Sequence, residues 1–339
     1  MYPSLGVILL LALVLPFISK KIEHNMEVFY LVMGLAAALV SGAMNLELAL
    51  NALEAPLMIS GAVLIAGLLF RWLQPKIAQG MEKVQKKIPY PLFFFLVVTL
   101  LGLLSSVITA IIASLVLIEV ITALKLDRKS EISLAVIACL SIGLGAALTP
   151  VGEPLATIAI SKLNQDFFYL IRLIGLYIIP GIVVLGLFAA LFIRPQADIQ
   201  GGLTAKGVEG FRGVIIRALK VYVFVAALVL LGEGFRPVID RFVIGLGSKL
   251  LYWINMISAI LDNATLTATE ISIKMSAEQI TAILMGLLIS GVMLIPGNIP
   301  NIISAGKLKI TSKEWAKLGL PLGMGFLVVY YFVLFGFRL

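Results

Sequence analysis

Charge is what this chain lacks most. Of 339 residues only 13% are Asp, Glu, Lys or Arg, and 61% are hydrophobic, whereas about a quarter of a soluble domain is charged. That balance excludes an ordinary water-soluble globule. Histidine is nearly absent too. The single one, His24, sits in a polar loop, so no Ser–His nucleophile can form within the apolar part. One cysteine, Cys139, excludes disulfides within the chain and reads as a small apolar helix residue. No metal-ligand cluster, Walker loop or dinucleotide fingerprint is present, which excludes ATP-driven transport by this chain and leaves no cofactor expected. The N-terminus has no basic region of the signal-peptide type, so residues 3–18 are expected to be a retained membrane helix.

What remains is a polytopic helical membrane protein. Several apolar runs reach the roughly 20 residues that span a bilayer. The net charge of +8 does not point to nucleic acid. Most Lys and Arg flank apolar runs, the usual cytoplasmic bias, and they place the N-terminus outside and the chain in the cytoplasmic membrane.

Two of the apolar runs are broken. Thr149-Pro-Val-Gly-Glu-Pro154 interrupts residues 131–163, and Pro296-Gly-Asn-Ile-Pro300 interrupts 278–306. Each proline removes a backbone donor, and glycine relaxes the chain between them. Lys162 follows Gly152 at the spacing with which Lys307 follows Gly297. Two further runs are too long for one upright helix and short for two spans. Residues 91–124 carry Ser105, Ser106 and Thr109 at their centre, and residues 237–273 carry Ser258, Asp262 and Asn263. Both read as re-entrant hairpins. Two short spanning helices satisfy the charge rule equally for the first, and residues 235–257 could instead form a complete span.

The expected organisation is therefore two N-terminal helices (1–55), a first repeat (56–194), a polar linker (195–212) and a second, inverted repeat (213–339). The loop with Glu47 and Glu54 joins the second helix to a third at 56–73. Aligning Gly152 with Gly297 sets Glu153 against Asn298 and Ala156 against Asn301. Aligning Ser105 with Ser258 sets Thr109 against Asp262. Inverted repeats with broken helices bind substrate near the midplane, where hydroxyls, amides and freed carbonyls offer hard oxygen ligands for a small cation.

A carboxyl group at the bilayer centre costs at least about 2.5–3.5 kcal/mol on insertion scales. Asp262 is the first candidate for that position and Glu153 the second, as transient sodium ligands that also take a proton. Cation and proton then compete for one group, which couples their movements. Asn263, Asn298 and Asn301 are neutral ligand candidates. Thr149, Ser258, Thr265, Ser105, Ser106 and Thr109 follow, although such hydroxyls often bond back to their own helix. Glu119 and Glu270 read as interfacial, Asp240 and Arg241 as a surface pair, and Lys162 and Lys307 as snorkelling at helix ends.

Leu148-Thr-Pro-Val-Gly-Glu-Pro154, Ser258-Ala-Ile-Leu-Asp-Asn-Ala264 and Pro296-Gly-Asn-Ile-Pro-Asn-Ile-Ile-Ser-Ala-Gly-Lys307 carry a resemblance. The chain resembles the ion transporter superfamily, which includes NhaD-type sodium/proton antiporters, arsenite permeases and sodium-coupled dicarboxylate carriers. Within it, the chain is most similar to prokaryotic cation-transporter-like proteins. The resemblance spans roughly residues 90–310. It implies cation and proton sites at Glu153 and Asp262-Asn263, a homodimer and an elevator-like motion. Dicarboxylate carriers have Ser-Asn-Thr at both hairpin tips. The first tip here, Ser105-Ser-Val-Ile-Thr109, has no Asn, which disfavours an organic anion. The expected function is sodium/proton antiport. The alternatives are sodium-coupled symport of a small anion or metabolite and, remotely, a membrane enzyme using Asp262 and Glu153 as an acid pair. The partners expected are a small inorganic ion and the lipid bilayer.

Overall fold

The computed structural model describes residues 1–19, 22, 25–57, 60–61, 64–65, 68, 72, 88–124, 126–194, 211–256 and 263–336. The described residues are helical throughout, with no strand among them. Helices α1 (Tyr2–Ile18) and α2 (Met26–Ser41) open the chain. Residues 46–57 are also helical, where a loop is expected. Asn45 starts this helix by accepting the Leu48 amide at 2.7 Å, a cap that outweighs the local polarity of Glu47 and Glu54. The third helix expected at 56–73 lies largely outside the described residues.

The first expected hairpin consists of α3 (Tyr90–Ile108) and α4 (Ala110–Leu124), joined by Thr109 alone. Arm α3 is long and apolar enough to cross a membrane. Arm α4 has 15 residues and covers about 22 Å, less than a hydrocarbon core. The first broken helix is α5 (Arg128–Ala146) followed by α6 (Pro154–Leu163). Helix α7 (Tyr169–Phe192) closes this half.

Helix α8 (Phe211–Val238) runs on into a π turn, Ile239–Val243, just after Pro237. A proline withdraws one ladder hydrogen bond, and a wider turn absorbs the misfit. Residues 237–243 therefore end a long helix and do not begin the second hairpin. The rest of the run expected as that hairpin contains α9 (Ser248–Ile254) and α10 (Asn263–Glu270), with residues 257–262 outside the described residues. The second broken helix is α11 (Ala277–Ser290), a 3₁₀ turn at Ile295–Gly297, and α12 (Ile299–Leu308). Helix α13 (Ser312–Phe335) ends the described chain. Among the described residues five helices are long and apolar enough to cross a membrane: α3, α5, α7, α8 with its π turn, and α13.

Among the described residues two main apolar cores hold these elements, and a minor cluster of Ala38, Leu48, Ala52 and Leu230 seats residues 46–57. The larger gathers α3–α7, α9 and α11–α13. The smaller joins α1, α2 and α8. Helices α6 and α10 face both. Ile158, Ala264 and Ala268 belong to the small core, while Leu155, Ala159 and Leu266 belong to the large one. The pairing is reciprocal: α4 lies on α12, and α10 lies on α6. Arg128 ties the first half to the second. Its Nε and Nη2 each reach a Glu314 carboxylate oxygen at 3.0 Å, and Nη1 and Nη2 donate to the Leu308 and Lys309 carbonyls at 3.1 and 2.9 Å. Asp240 and Arg241 do not pair with each other. Lys274 Nζ lies 2.6 Å from the Asp240 carboxylate, and the Arg241 guanidinium sits over the Tyr2 ring.

Helices α3 and α5 approach so closely that a Cβ on Gly145 would fall 1.7 Å from the Gly102 carbonyl oxygen. Small residues at such crossings let helix backbones touch, which supplies association where no hydrophobic drive exists. Gly145→Ala is expected to cost about 1–3 kcal/mol through overpacking, read as a lower melting temperature in detergent. Gly306→Ala, whose Cβ meets nothing within 4 Å, should leave the melting temperature unchanged or slightly raised.

Candidate functional site

Each break in a helix leaves backbone groups without ladder partners, and each is met by a neighbouring polar element. In the first, Glu153 takes an extended conformation (φ −154°, ψ 160°) and Pro154 opens α6. The Gly152 carbonyl accepts the Ala110 amide at 2.8 Å, which joins the break to the start of α4. The Thr149 hydroxyl donates to the Ser106 carbonyl, and the Thr157 hydroxyl to the Pro150 carbonyl. Thr109, at the joint between arms, has φ +76°. That region is disfavoured for a β-branched residue, and such strain persists only where surrounding structure imposes it. Here its Oγ1 also caps α4 through the Ile112 amide at 3.3 Å. Ser106, Thr109, Thr149 and Glu153 are all buried and come together.

The second break repeats the geometry with amides. Asn298 is extended at φ −153°, ψ 163°, matching Glu153 to within a few degrees. Its Oδ1 accepts the Asn301 amide at 3.0 Å. Asn301 Nδ2 bridges the Gly291 and Leu294 carbonyls, both at 2.9 Å, so one fully buried side chain closes the gap between α11 and α12. Asn263, at the start of α10, lies against Gly291, where an added Cβ would meet its carboxamide at 2.7 Å. Asn263, Asn298 and Asn301 thus form a second polar cluster, with Thr267 donating to the Asn263 carbonyl at 2.8 Å. The second cluster also reaches α5: Asn298 Nδ2 is 3.1 Å from the Cβ position of Gly143. Among the described residues, Asn298 Nδ2 and Asn301 Oδ1 are buried without hydrogen-bond partners. They offer one donor and one acceptor to whatever occupies the site.

Asp262 and Ser258 lie outside the described residues, as does the Thr265 side chain; the Thr265 backbone belongs to α10. Ser105 does not join the cluster through its hydroxyl, which turns into the α3–α5 crossing toward the Gly102 and Ile142 carbonyls at 2.6 and 2.9 Å. The Ser106 hydroxyl likewise bonds its own helix at Leu103, 2.8 Å away. Among the described residues no three His, Cys, Asp or Glu side chains gather as a metal site.

Three features escaped the sequence reading. Asn255 is fully buried in α9's C-cap position; its Nδ2 reaches the Glu270 carboxylate at 2.8 Å, and its carbonyl accepts the Ser290 hydroxyl at 2.9 Å. The sequence signal was a lone amide within Leu250–Met256. Glu270 accordingly latches one hairpin arm to the other. Lys162 does not snorkel: its Nζ donates to the Ala268 carbonyl at 2.6 Å, because α10 presents a carboxyl-terminal end within reach. Lys307, its counterpart, is exposed. A groove of about 960 Å³ between α7 and α13 contains no candidate site residue.

Fold and site define an all-helical protein with several membrane-length apolar helices and buried polar breaks. The chain belongs to the family described as "Protein of unknown function (DUF1646)", whose model matches residues 3–337. A search of curated proteins found no match.

Replacing Asn301 by Leu removes the donor from two buried carbonyls. The expected cost is at least about 2 kcal/mol, since each buried group left unsatisfied loses roughly 1–3 kcal/mol. A melting temperature of Asn301→Leu equal to that of the parent would show that the bridge does not hold the break.

Proposed function

We propose that this protein is a secondary transporter exchanging sodium, or another monovalent cation, for protons across the cytoplasmic membrane. The matched backbone geometry of Glu153 and Asn298 at the two breaks carries this reading. Together with the reciprocal packing of α4 on α12 and α10 on α6, it supports two inverted repeats, each with a re-entrant hairpin and a broken helix. Freed carbonyls and amide oxygens around the breaks suit a small hard cation. Glu153 supplies a buried carboxylate beside them, and Asp262 a second one immediately before Asn263. Alternation of these carboxylates between cation-bound and protonated states couples the two fluxes without any bound cofactor. The flanking Lys and Arg favour an N-terminus on the outer face, and the ion transporter resemblance favours a homodimer.

A second reading has one observation behind it. Helices α4, α6, α10 and α12 all begin at the breaks, and a helix amino terminus carries partial positive charge that favours an anion. Sodium-coupled uptake of a small anion would use those ends. The buried carboxylate at Glu153 opposes it, which is why cation exchange ranks first.

Proteoliposomes separate the two. An imposed proton gradient should drive sodium uptake with no other solute present. Asp262→Asn should abolish that uptake, and Glu153→Gln should reduce it at least about tenfold, the scale of 1.4 kcal/mol of lost ligand stabilisation. Sodium flux undiminished in Asp262→Asn excludes the carboxylate mechanism. Sodium flux that appears only with an added organic or inorganic anion selects symport.

A further inference from the structure

One cavity reaches a break from outside the larger core. A cleft of about 600 Å³ lies between α6 on one side and residues 43–55 and α8 on the other. Its walls are mixed: Asn51, Thr157, Ser161, Lys162 and Glu233 line it beside Leu48, Ile158, Val225 and Leu228, more polar groups than lipid contact alone would call for. Thr157 lines the cleft and touches the first break, through its hydroxyl on the Pro150 carbonyl. The Lys162 ammonium crosses the wall to the Ala268 carbonyl at 2.6 Å, joining α6 to α10. Those two helices start at the two polar clusters. Buried polar backbone persists at membrane depth only inside protein or beside water, and a cleft of this size holds many waters.

We propose that this cleft is the aqueous path by which the transported ion reaches the Glu153 break from one side of the membrane, with Lys162 as the latch that holds α6 against α10 along it. The proposal rests on the transport reading above, but its test does not use ion flux as the first readout. In a Cys139→Ala background, single cysteines are placed at Asn51, Thr157 and Ser161, with Leu187, exposed on α7 away from any cavity described, as the lipid-facing control. Oriented vesicles of the full chain are treated with a membrane-impermeant cationic thiosulfonate.

Asn51→Cys, Ser161→Cys and Thr157→Cys should all be modified from the same single side, and Leu187→Cys from neither. Adding Lys162→Met should speed modification of Thr157→Cys about tenfold, the scale of one charge-assisted hydrogen bond lost, whereas Lys162→Arg should leave the rate near that of the parent. Thr157→Cys inert from the side that labels Asn51→Cys overturns the path. An unchanged rate in Lys162→Met, with Lys162→Arg also unchanged, overturns the latch; should Lys162→Met fail to fold, Lys162→Gln replaces it. Expected labelling without sodium flux would retain the path and reject the sodium reading.

Discussion

Backbone hydrogen bonding in the absence of water is the constraint from which this structure follows. A membrane helix satisfies every amide and carbonyl internally, and interrupting one exposes groups that each cost several kcal/mol in hydrocarbon. Both interruptions here are met by protein. The first receives the Ala110 amide, and the second is closed by Asn301 reaching back to Gly291 and Leu294. The starts of α4 and α10 lie against the breaks that need partners. Thr109 holds a left-handed conformation at that contact, and Asn263 lies flat against a glycine that leaves it room.

The same requirement explains why the two halves are interleaved. A hairpin arm that seals a break must also bury its own flank. Arms α4 and α10 do so against the second segment of the other half's broken helix. Long polar side chains then fix the ends: Arg128 holds the finish of α12, and Lys162 holds the finish of α10. Cations at helix carboxyl termini complement the partial negative charge there. Arg128 engages a carboxylate as well, whereas Lys162 faces a polar cleft and bonds a single carbonyl. A side chain held by one bond is released more readily than one held by four.

Much of this was legible in the residues. Pro150, Pro154, Pro296 and Pro300 forced the breaks, because no helix carries those prolines through its middle without losing donors. The all-helical architecture was legible for the same reason, in the long apolar runs between those prolines. The registers were harder. Residues 237–243 looked like the opening of a hairpin, yet Pro237 is accommodated by a π turn that extends α8. Residues 46–57 looked like a loop because Glu47 and Glu54 lower their hydropathy, while the Asn45 cap that makes them helical is a local geometric effect. Within the site, Glu153 and the asparagines were identified from type and position. Asn255 was not, since a single amide in an apolar run gives no hint of the Glu270 and Ser290 groups that reach it.

The central claim is that carboxylates beside the paired breaks bind a cation and a proton in competition. Its most direct test is the melting temperature of the purified protein with and without saturating sodium, across pH. Binding to the folded state alone stabilises by about 2.7 kcal/mol at a hundredfold excess over Kd. A protonated carboxyl group is a far weaker cation ligand than a carboxylate. Sodium should therefore raise the melting temperature strongly at about pH 8.5 and progressively less toward about pH 5.5, with potassium and choline as controls for ionic strength. A sodium shift that is equal at both ends of that range, or one reproduced by choline, would contradict the account.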